Sequence, residues 1–306
     1  MGKTAFIFAG QGSQAPGMGK ELYEISQGAR TTMDALEALS PGLLKMAFSG
    51  TQEELNLTEN TQPCLFAVSL AAAAALTDLG IRAGGAAGFS LGELTAAAYT
   101  GLMLPEAAFA YCLRRAAAMT ECADKNPGAM AAILKLDNAA VEALCAQVGN
   151  VWPANYNAPG QLVVSGLAGS VDELCALVSQ QRGRAIRLAV SGGFHSPLMG
   201  SASEALLPVL RSMDIQTPGI PQWANLSAEL FSADNAAEWM AGQVSGPVRW
   251  EQTIRRMLED GFDTFVELGP GQVLNGLVKK IAPETRRLHV EDAESLRLTA
   301  EALASC

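Results

Sequence analysis

The sequence predicts an α/β protein in two parts: a larger domain on a parallel sheet, and a small inserted ferredoxin-like (βαββαβ) domain. Three observations predict it. Short buried-strand patterns that close on glycine, such as Thr4–Ala9 and Thr264–Leu268, alternate with helical patterns at both ends of the chain. The small-residue run Ala83-Gly84-Gly85-Ala86-Ala87 leads into Gly88-Phe89-Ser90-Leu91-Gly92-Glu93 and then a helix, so a strand, a sharp turn and a helix follow at once. Between residues 124 and 190 the elements run β-α-β-β-α-β, the split pattern of a small self-contained unit. The expected division is therefore 1–123 and 191–306 for the larger domain, with 124–190 inserted.

The totals agree with a folded core. Of 306 residues, 49% are hydrophobic and 17% charged, the balance of a soluble globular protein. The net charge of −10, from 21 basic and 31 acidic residues, argues against nucleic-acid binding, which needs a basic footprint. The six cysteines (64, 112, 122, 145, 175 and 306) form no paired motif, and His195 and His289 are the only histidines, so no metal site is expected. Scattered cysteines among apolar neighbours fit a reducing, cytoplasmic setting. The apolar run Cys64–Leu76 is too short to span a bilayer, and no membrane association is expected.

In chain order, Thr4–Ala9 is a strand ending at Gly10-Gln11-Gly12-Ser13-Gln14. The loose Gly-x-Gly-x-x-Ala match there is not a dinucleotide site, because Pro16 follows and no second strand ends in an acid about 20 residues on. That turn is read as backbone shaped to approach a substrate. Residues 20–60 are helices with polar loops. Pro63–Leu79, apolar nearly all round, is a buried helix. Pro105 starts a helix to about Ala123. In the insertion, Ala129–Leu134 is a strand, Asn138 caps a helix to Val148, and Val151–Tyr156 and Gln161–Gly166 are strands joined by the Asn157–Gly160 turn. Ser170–Gln181 is a helix and Arg184–Ala189 a strand. After it come a helix to about Met213, a strand near Ile220–Ala224, helices at Asn235–Val244 and 250–260, the strand Thr264–Leu268, a helix Gln272–Ile281 and a strand Arg287–Glu291.

The chemistry centres on Ser90. Strand, tight turn with glycine on either side of serine, then helix is the context of a nucleophile elbow in α/β-hydrolase-like sheets. The helix beyond supplies free N–H groups and the positive end of a dipole for a developing oxyanion. In a chain with 30 glycines an ordinary turn gives the same pattern, so the elbow reading needs partners elsewhere. If Ser90 needs an imidazole base, His195 is the better candidate, since it follows a glycine pair in a loop while His289 sits in a terminal strand. Arg114 and Arg115 interrupt an apolar helix about 100° apart, so one of them can face inward, where it requires an anion such as a substrate carboxylate.

Seven ordered blocks then resemble a known family. They are Gly10-Gln11-Gly12-Ser13-Gln14, Gly88–Glu93, Arg115 with Met119, Asn155–Gln161, Gly193–Met199, Gln243 through Pro247–Trp250, and Glu267-Leu268-Gly269-Pro270-Gly271. The chain resembles malonyl-CoA:acyl carrier protein transacylases and the related acyltransferase domains of polyketide synthases over essentially its whole length. The resemblance implies Ser90 as nucleophile and His195 as base, with the imidazole held by a main-chain carbonyl near Gln243 rather than by a carboxylate. It implies an oxyanion hole from the N–H groups of Gln11 and Leu91, and Arg115 pairing the malonyl carboxylate. Asn155 and Asn157 fall in a supporting block, and Phe194 resembles the form of its loop that crowds an α-methyl branch. Phe89 and Ala116 depart from the usual His and Gly of the family; no implied proton transfer runs through the side chain at 89, and Ala116 is a small-for-small change in a helix that alanine favours.

The resemblance further implies malonyl-CoA as substrate, no permanently bound cofactor, and an acyl carrier protein bearing phosphopantetheine as partner, with the enzyme a monomer. Lys279-Lys280, Arg286-Arg287 and Arg182-Arg184-Arg187 are the candidates for meeting an acidic carrier, although such groups more often form a solvated face. A thioester hydrolase on the same Ser–His pair, an acyltransferase of other acyl specificity, and a non-catalytic docking module are the alternatives; Arg115 and the intact Ser90, His195 and Gln243 weigh against the first and the last.

Overall fold

A computed structural model describes residues 2–190 and 192–304, so the expectations that touch Ser191 and Cys306 lie outside the described residues. Nine strands are present among the described residues: β1 Lys3–Phe8, β2 Gly85–Gly88, β3 Ala129–Leu134, β4 Val151–Ala158, β5 Gln161–Gly166, β6 Arg184–Arg187, β7 Gln222–Trp223, β8 Phe262–Leu268 and β9 Arg286–Val290. Five of them form a wholly parallel sheet in the order β7-β2-β1-β8-β9. The other four form a separate antiparallel sheet in the order β4-β5-β3-β6. All four strands of this smaller sheet come from the stretch that the sequence marks as the insertion.

The parallel sheet is buried on both faces, as its near-continuous apolar strands require. Alternation along β1 sends Phe6 and Phe8 into one core and Ala5 and Ile7 into another on the opposite face. The first core is filled by the helix Thr58–Asp78, whose residues 61 to 73 are all buried. The second packs Trp223, Trp250, Phe265 and Leu277 together. In the smaller sheet, Ala131 and Ile133 of β3 face two covering helices through Val141, Leu144, Val171 and Leu174. Met130 and Val163 point the other way and join the first core. The helix-free face of the smaller sheet therefore looks onto the larger body, and the cleft described below lies between them.

Several boundaries differ from the sequence reading. The buried helix begins at Thr58, not Pro63; Pro63 is tolerated because the carbonyl it leaves without a donor belongs to Glu59 at the exposed end of the helix. Asp137, not Asn138, caps the first helix of the insertion, Asn138–Val148, its side chain accepting from Ala140 N at 2.7 Å. β4 runs on to Ala158, which tightens the turn to Pro159-Gly160, and β6 stops at Arg187. The terminal helix Ala293–Ala304 went unassigned in the sequence.

Candidate active site

At the carboxyl end of β2 the chain reverses through Phe89 and Ser90 into the helix Gly92–Thr100. Ser90 sits at φ 52°, in the left-handed region that non-glycine residues rarely adopt. The two flanking glycines are required by close approach. A Cβ on Gly88 would lie 1.9 Å from the carbonyl of Gly92, and one on Gly92 would lie 2.1 Å from the carbonyl oxygen of Phe8. Asn225, fully buried just after β7, splints the turn: its Oδ1 accepts from Ser90 N at 2.7 Å and its Nδ2 donates to Gly88 O at 2.6 Å.

His195 comes from the loop after β6 and is also at positive φ, 58°. Its Nε2 lies 2.7 Å from Ser90 Oγ. Its Nδ1 lies 2.8 Å from Gln243 O and 3.3 Å from Gly246 O. Carbonyls only accept, so these partners assign the proton to Nδ1 and leave Nε2 bare to receive the Ser90 hydroxyl proton. Burial, and then the Arg115 guanidinium, push the imidazole down to about 4 against the pull of the two carbonyls. The ring is therefore neutral at neutral pH, as a general base requires.

The adjacent arginines separate as their helical spacing predicts. Arg114 is exposed, whereas Arg115 is buried. Arg115 Nη1 donates to Gln62 Oε1 at 2.6 Å; its Nη2 donates to Gln243 Oε1 at 2.8 Å and to Ser90 Oγ at 3.2 Å. All three acceptors are neutral, and burial lowers the guanidinium pKa. A buried cation with no acid at hydrogen-bond distance among the described residues, beside a serine oxygen, is able to receive a carboxylate.

These groups meet beside a cleft of about 520 Å³ lined by Gln11, Phe89, Ser90, Asn155, Phe194 and His195 among others. The main-chain N–H groups of Gln11 and Leu91 make no hydrogen bond among the described residues. Phe194 is buried against the cleft wall. Asn155 lines the cleft, and Asn157 lines an adjoining cavity of about 260 Å³, its Oδ1 buried without a partner. Neither asparagine hydrogen-bonds Ser90, His195, Arg115 or Gln243 among the described residues. What ties their strand to the site is the main chain: Tyr156 N donates to Val248 O at 2.9 Å and Val248 N to Ala154 O at 2.8 Å. A larger cavity of about 880 Å³ lies elsewhere, around Thr4, Arg82 and Asp263, and holds no serine, cysteine or histidine among the described residues that line it.

Sequence reasoning passed over Gln62, Glu93 as a functional group, and Asn225. Gln62 and Asn225 carry no local signal, since each gains its partner from a segment distant in the chain. Glu93 stood inside the serine motif, where a first-turn acid reads as a dipole partner. In the structure it is buried, accepting from Asn225 N at 2.5 Å and Gln243 Nε2 at 3.0 Å. Phe89, in the place usual for histidine, packs its ring against Trp250 with centroids 5.6 Å apart.

Comparison with known proteins gives a consistent result. The family model described as the acyl transferase domain matches residues 5–299. A malonyl CoA-acyl carrier protein transacylase of Bacillus subtilis is 41% identical, covering 99% of this chain and 98% of the relative. The crystal structure of the transacylase of that name from Clostridium perfringens superposes with a TM-score of 0.96 at 34% identity, over 99% of this chain and 98% of that one. A malonyl-transacylase solved in complex with a type II PKS acyl-carrier protein superposes with a TM-score of 0.94 at 32% identity, over 98% of this chain and 99% of that one. With a matched region that runs nearly end to end and contains the whole Ser90–His195 arrangement, the chain belongs to the acyl transferase domain family.

Proposed function

We propose that the protein transfers a malonyl group from malonyl-CoA to the phosphopantetheine thiol of an acyl carrier protein through a malonyl ester on Ser90. One observation carries this: Ser90 Oγ lies 2.7 Å from the bare Nε2 of His195 and 3.2 Å from the guanidinium of Arg115. A nucleophile, its base and a carboxylate-binding cation are thus within one acyl group of each other.

In the first half-reaction His195 Nε2 takes the Ser90 hydroxyl proton as Oγ attacks the thioester carbonyl. The oxyanion rests on the free N–H groups of Gln11 and Leu91, the latter at the start of the helix Gly92–Thr100. The C–S bond breaks, and the CoA sulfur takes the proton from Nε2. In the second half the carrier thiol gives its proton to Nε2 and attacks the ester. The C–Oγ bond breaks, and Oγ recovers the proton. Arg115 exchanges its contact with Ser90 Oγ for the malonyl carboxylate, which fixes the acyl group for attack. Gln243 holds Nδ1 of the base through its carbonyl, Phe194 restricts the space beside the acyl α-carbon, and Asn155 and Asn157 support the wall opposite the elbow.

The same reading extends to architecture: the parallel sheet with its elbow is an α/β-hydrolase-like domain (1–123 and 191–306), and β3 to β6 with their two helices are a ferredoxin-like insertion (124–190). Every residue named comes from one chain, so a monomer suffices. Incubation with malonyl-CoA followed by intact-mass measurement tests the proposal. The parent should gain one malonyl group and release CoA in a burst, and Ser90→Ala should gain none. A labelled Ser90→Ala would refute the nucleophile, and free malonate formed in preference to malonyl-carrier would favour the hydrolase.

A further inference from the structure

Glu93 takes no part in the proton transfers described above, yet its two carboxylate oxygens touch the two residues on which the rest of the site leans. Its Oε1 accepts from Gln243 Nε2 at 3.0 Å, and its Oε2 accepts from the main-chain N–H of Asn225 at 2.5 Å. From Gln243 the contacts run on to Arg115, by Oε1 at 2.8 Å, and to the Ser90 carbonyl, by Nε2 at 2.8 Å. From Asn225 they run to both sides of the serine turn, at Ser90 N and Gly88 O. All of Glu93, Arg115, Asn225 and Gln243 are at least nine-tenths buried, so water does not substitute for any of these contacts. We infer that Glu93 is a positioning residue for acyl selection, one whose carboxylate fixes the Gln243 amide in the orientation that presents Arg115 to a substrate carboxylate.

The reasoning is a matter of donors and acceptors. A glutamine amide has two orientations of nearly equal shape, and its surroundings choose between them. As found, the NH2 end faces the Ser90 carbonyl and Glu93, and the oxygen end faces the guanidinium. Reversed, the oxygen would face a carbonyl and a carboxylate, and the NH2 would face a cation. An ionised carboxylate only accepts, so it forbids the reversal. Burial raises the Glu93 carboxyl to about 8, against the Asn225 N–H, the nearby guanidinium and the Gln243 amide, which hold it down. Its two oxygens each face an N–H donor, Gln243 Nε2 and Asn225 N, which is the pattern of the ionised form. With Gln243 so locked, Arg115 is held by neutral acceptors alone. Its charge stays available to the incoming acyl group and is not neutralised by an acid at contact distance.

The inference rests on the malonyl-transfer reading, and the test separates the two. Parent, Glu93→Gln and Glu93→Asp are each mixed with equal malonyl-CoA and acetyl-CoA, and the ratio of malonyl to acetyl adduct is read by intact mass. The ratio counts only competent molecules, so partial misfolding does not distort it. Glu93→Gln places an NH2 against one of the two N–H donors and should lower the malonyl preference about tenfold to a hundredfold, the range for losing a charge-assisted hydrogen bond. Glu93→Asp keeps the charge but cannot span both partners, and should fall between; if Glu93→Gln proves insoluble, this variant decides. On a Gln243→Leu background, Glu93→Gln should cause no further loss of preference, since the route through the amide is already gone. A parent-like ratio in whichever variant folds, or an equal further loss on the Gln243→Leu background, overturns the inference. A parent that takes no malonyl label overturns the proposed function instead.

Discussion

Arg115→Ala tests the proposed selectivity most directly. In the free protein the guanidinium spends Nη1 on Gln62 and shares Nη2 between Gln243 and Ser90 Oγ, so the malonyl carboxylate gains its charge and at least one strong hydrogen bond where Ser90 is released. A hydrogen bond to a charged group contributes about 1.5 to 3 kcal/mol, and leaving a buried carboxylate unpaired costs about 3 to 5 kcal/mol. The loss of transition-state stabilisation for malonyl-CoA should therefore be about 3 to 5 kcal/mol, or about 10² to 10⁴ in kcat/KM. Acetyl-CoA has no carboxylate to lose, so acetyl transfer should persist and the preference between the two thioesters should invert. The assay is single-turnover acylation of Ser90 with each thioester, with thermal unfolding measured in parallel, because Gln62 Oε1 and Gln243 Oε1 also lose a donor. An unchanged malonyl-to-acetyl ratio in a folded Arg115→Ala protein would refute the role of the guanidinium.

Three further outcomes follow from the geometry. His195 is pushed down from 6.5 to about 4, so the folded protein binds fewer protons than the unfolded chain between those values; stability should fall as pH drops through that window, by about 3 kcal/mol from this group. The unfolding difference between parent and His195→Gln isolates the imidazole from the other titrating groups; the acid limb of Ser90 acylation should likewise lie nearer 4 than 6.5. Phe194→Ala should admit methylmalonyl-CoA, improving its acylation rate relative to malonyl-CoA about tenfold, the scale of one added carbon in a fitted pocket, as read by competition between the two thioesters. Asn225→Ala leaves Ser90 N and the Gly88 carbonyl without their partner and should lower stability by about 2 to 4 kcal/mol in denaturant unfolding, with acylation slowed as the turn loosens.

What the sequence made legible is what short-range chemistry writes. Strand, turn and helix around Ser90 are contiguous, and the arginine pair separates by helical angle, so the elbow and the inward turn of one arginine could be read before any coordinates, while the choice of Arg115 came from the family blocks. His195 emerged by elimination, because only one other histidine exists. Gln62 and Asn225 stayed hidden for the opposite reason: Gln62 meets Arg115 across 53 positions, and Asn225 meets Ser90 across 135. A glutamine inside an apolar helix and an asparagine after a two-residue strand look like any others until tertiary packing brings the partner. The early start of the helix at Thr58 escaped for a local reason, since proline reads as a first residue although the exposed end of a helix accommodates it slightly later. Asn155 and Asn157 show the limit of a motif: the block was recognised, but the coordinates connect it to the site by its backbone ladder and a shared wall.

The main-chain carbonyl of Gln243 as the holder of the imidazole has a genetic consequence. Where a carboxylate side chain performs that duty, a single base change can delete it; here every amino acid at position 243 would still bring the same C=O. Substitution can only shift that oxygen by bending the helix Ala236–Ser245, whose last turn is anchored by Gly246 and the Val248 ladder. The tautomer of the His195 ring is thus buffered against point mutation, while the side chain at 243 is left free to serve the guanidinium.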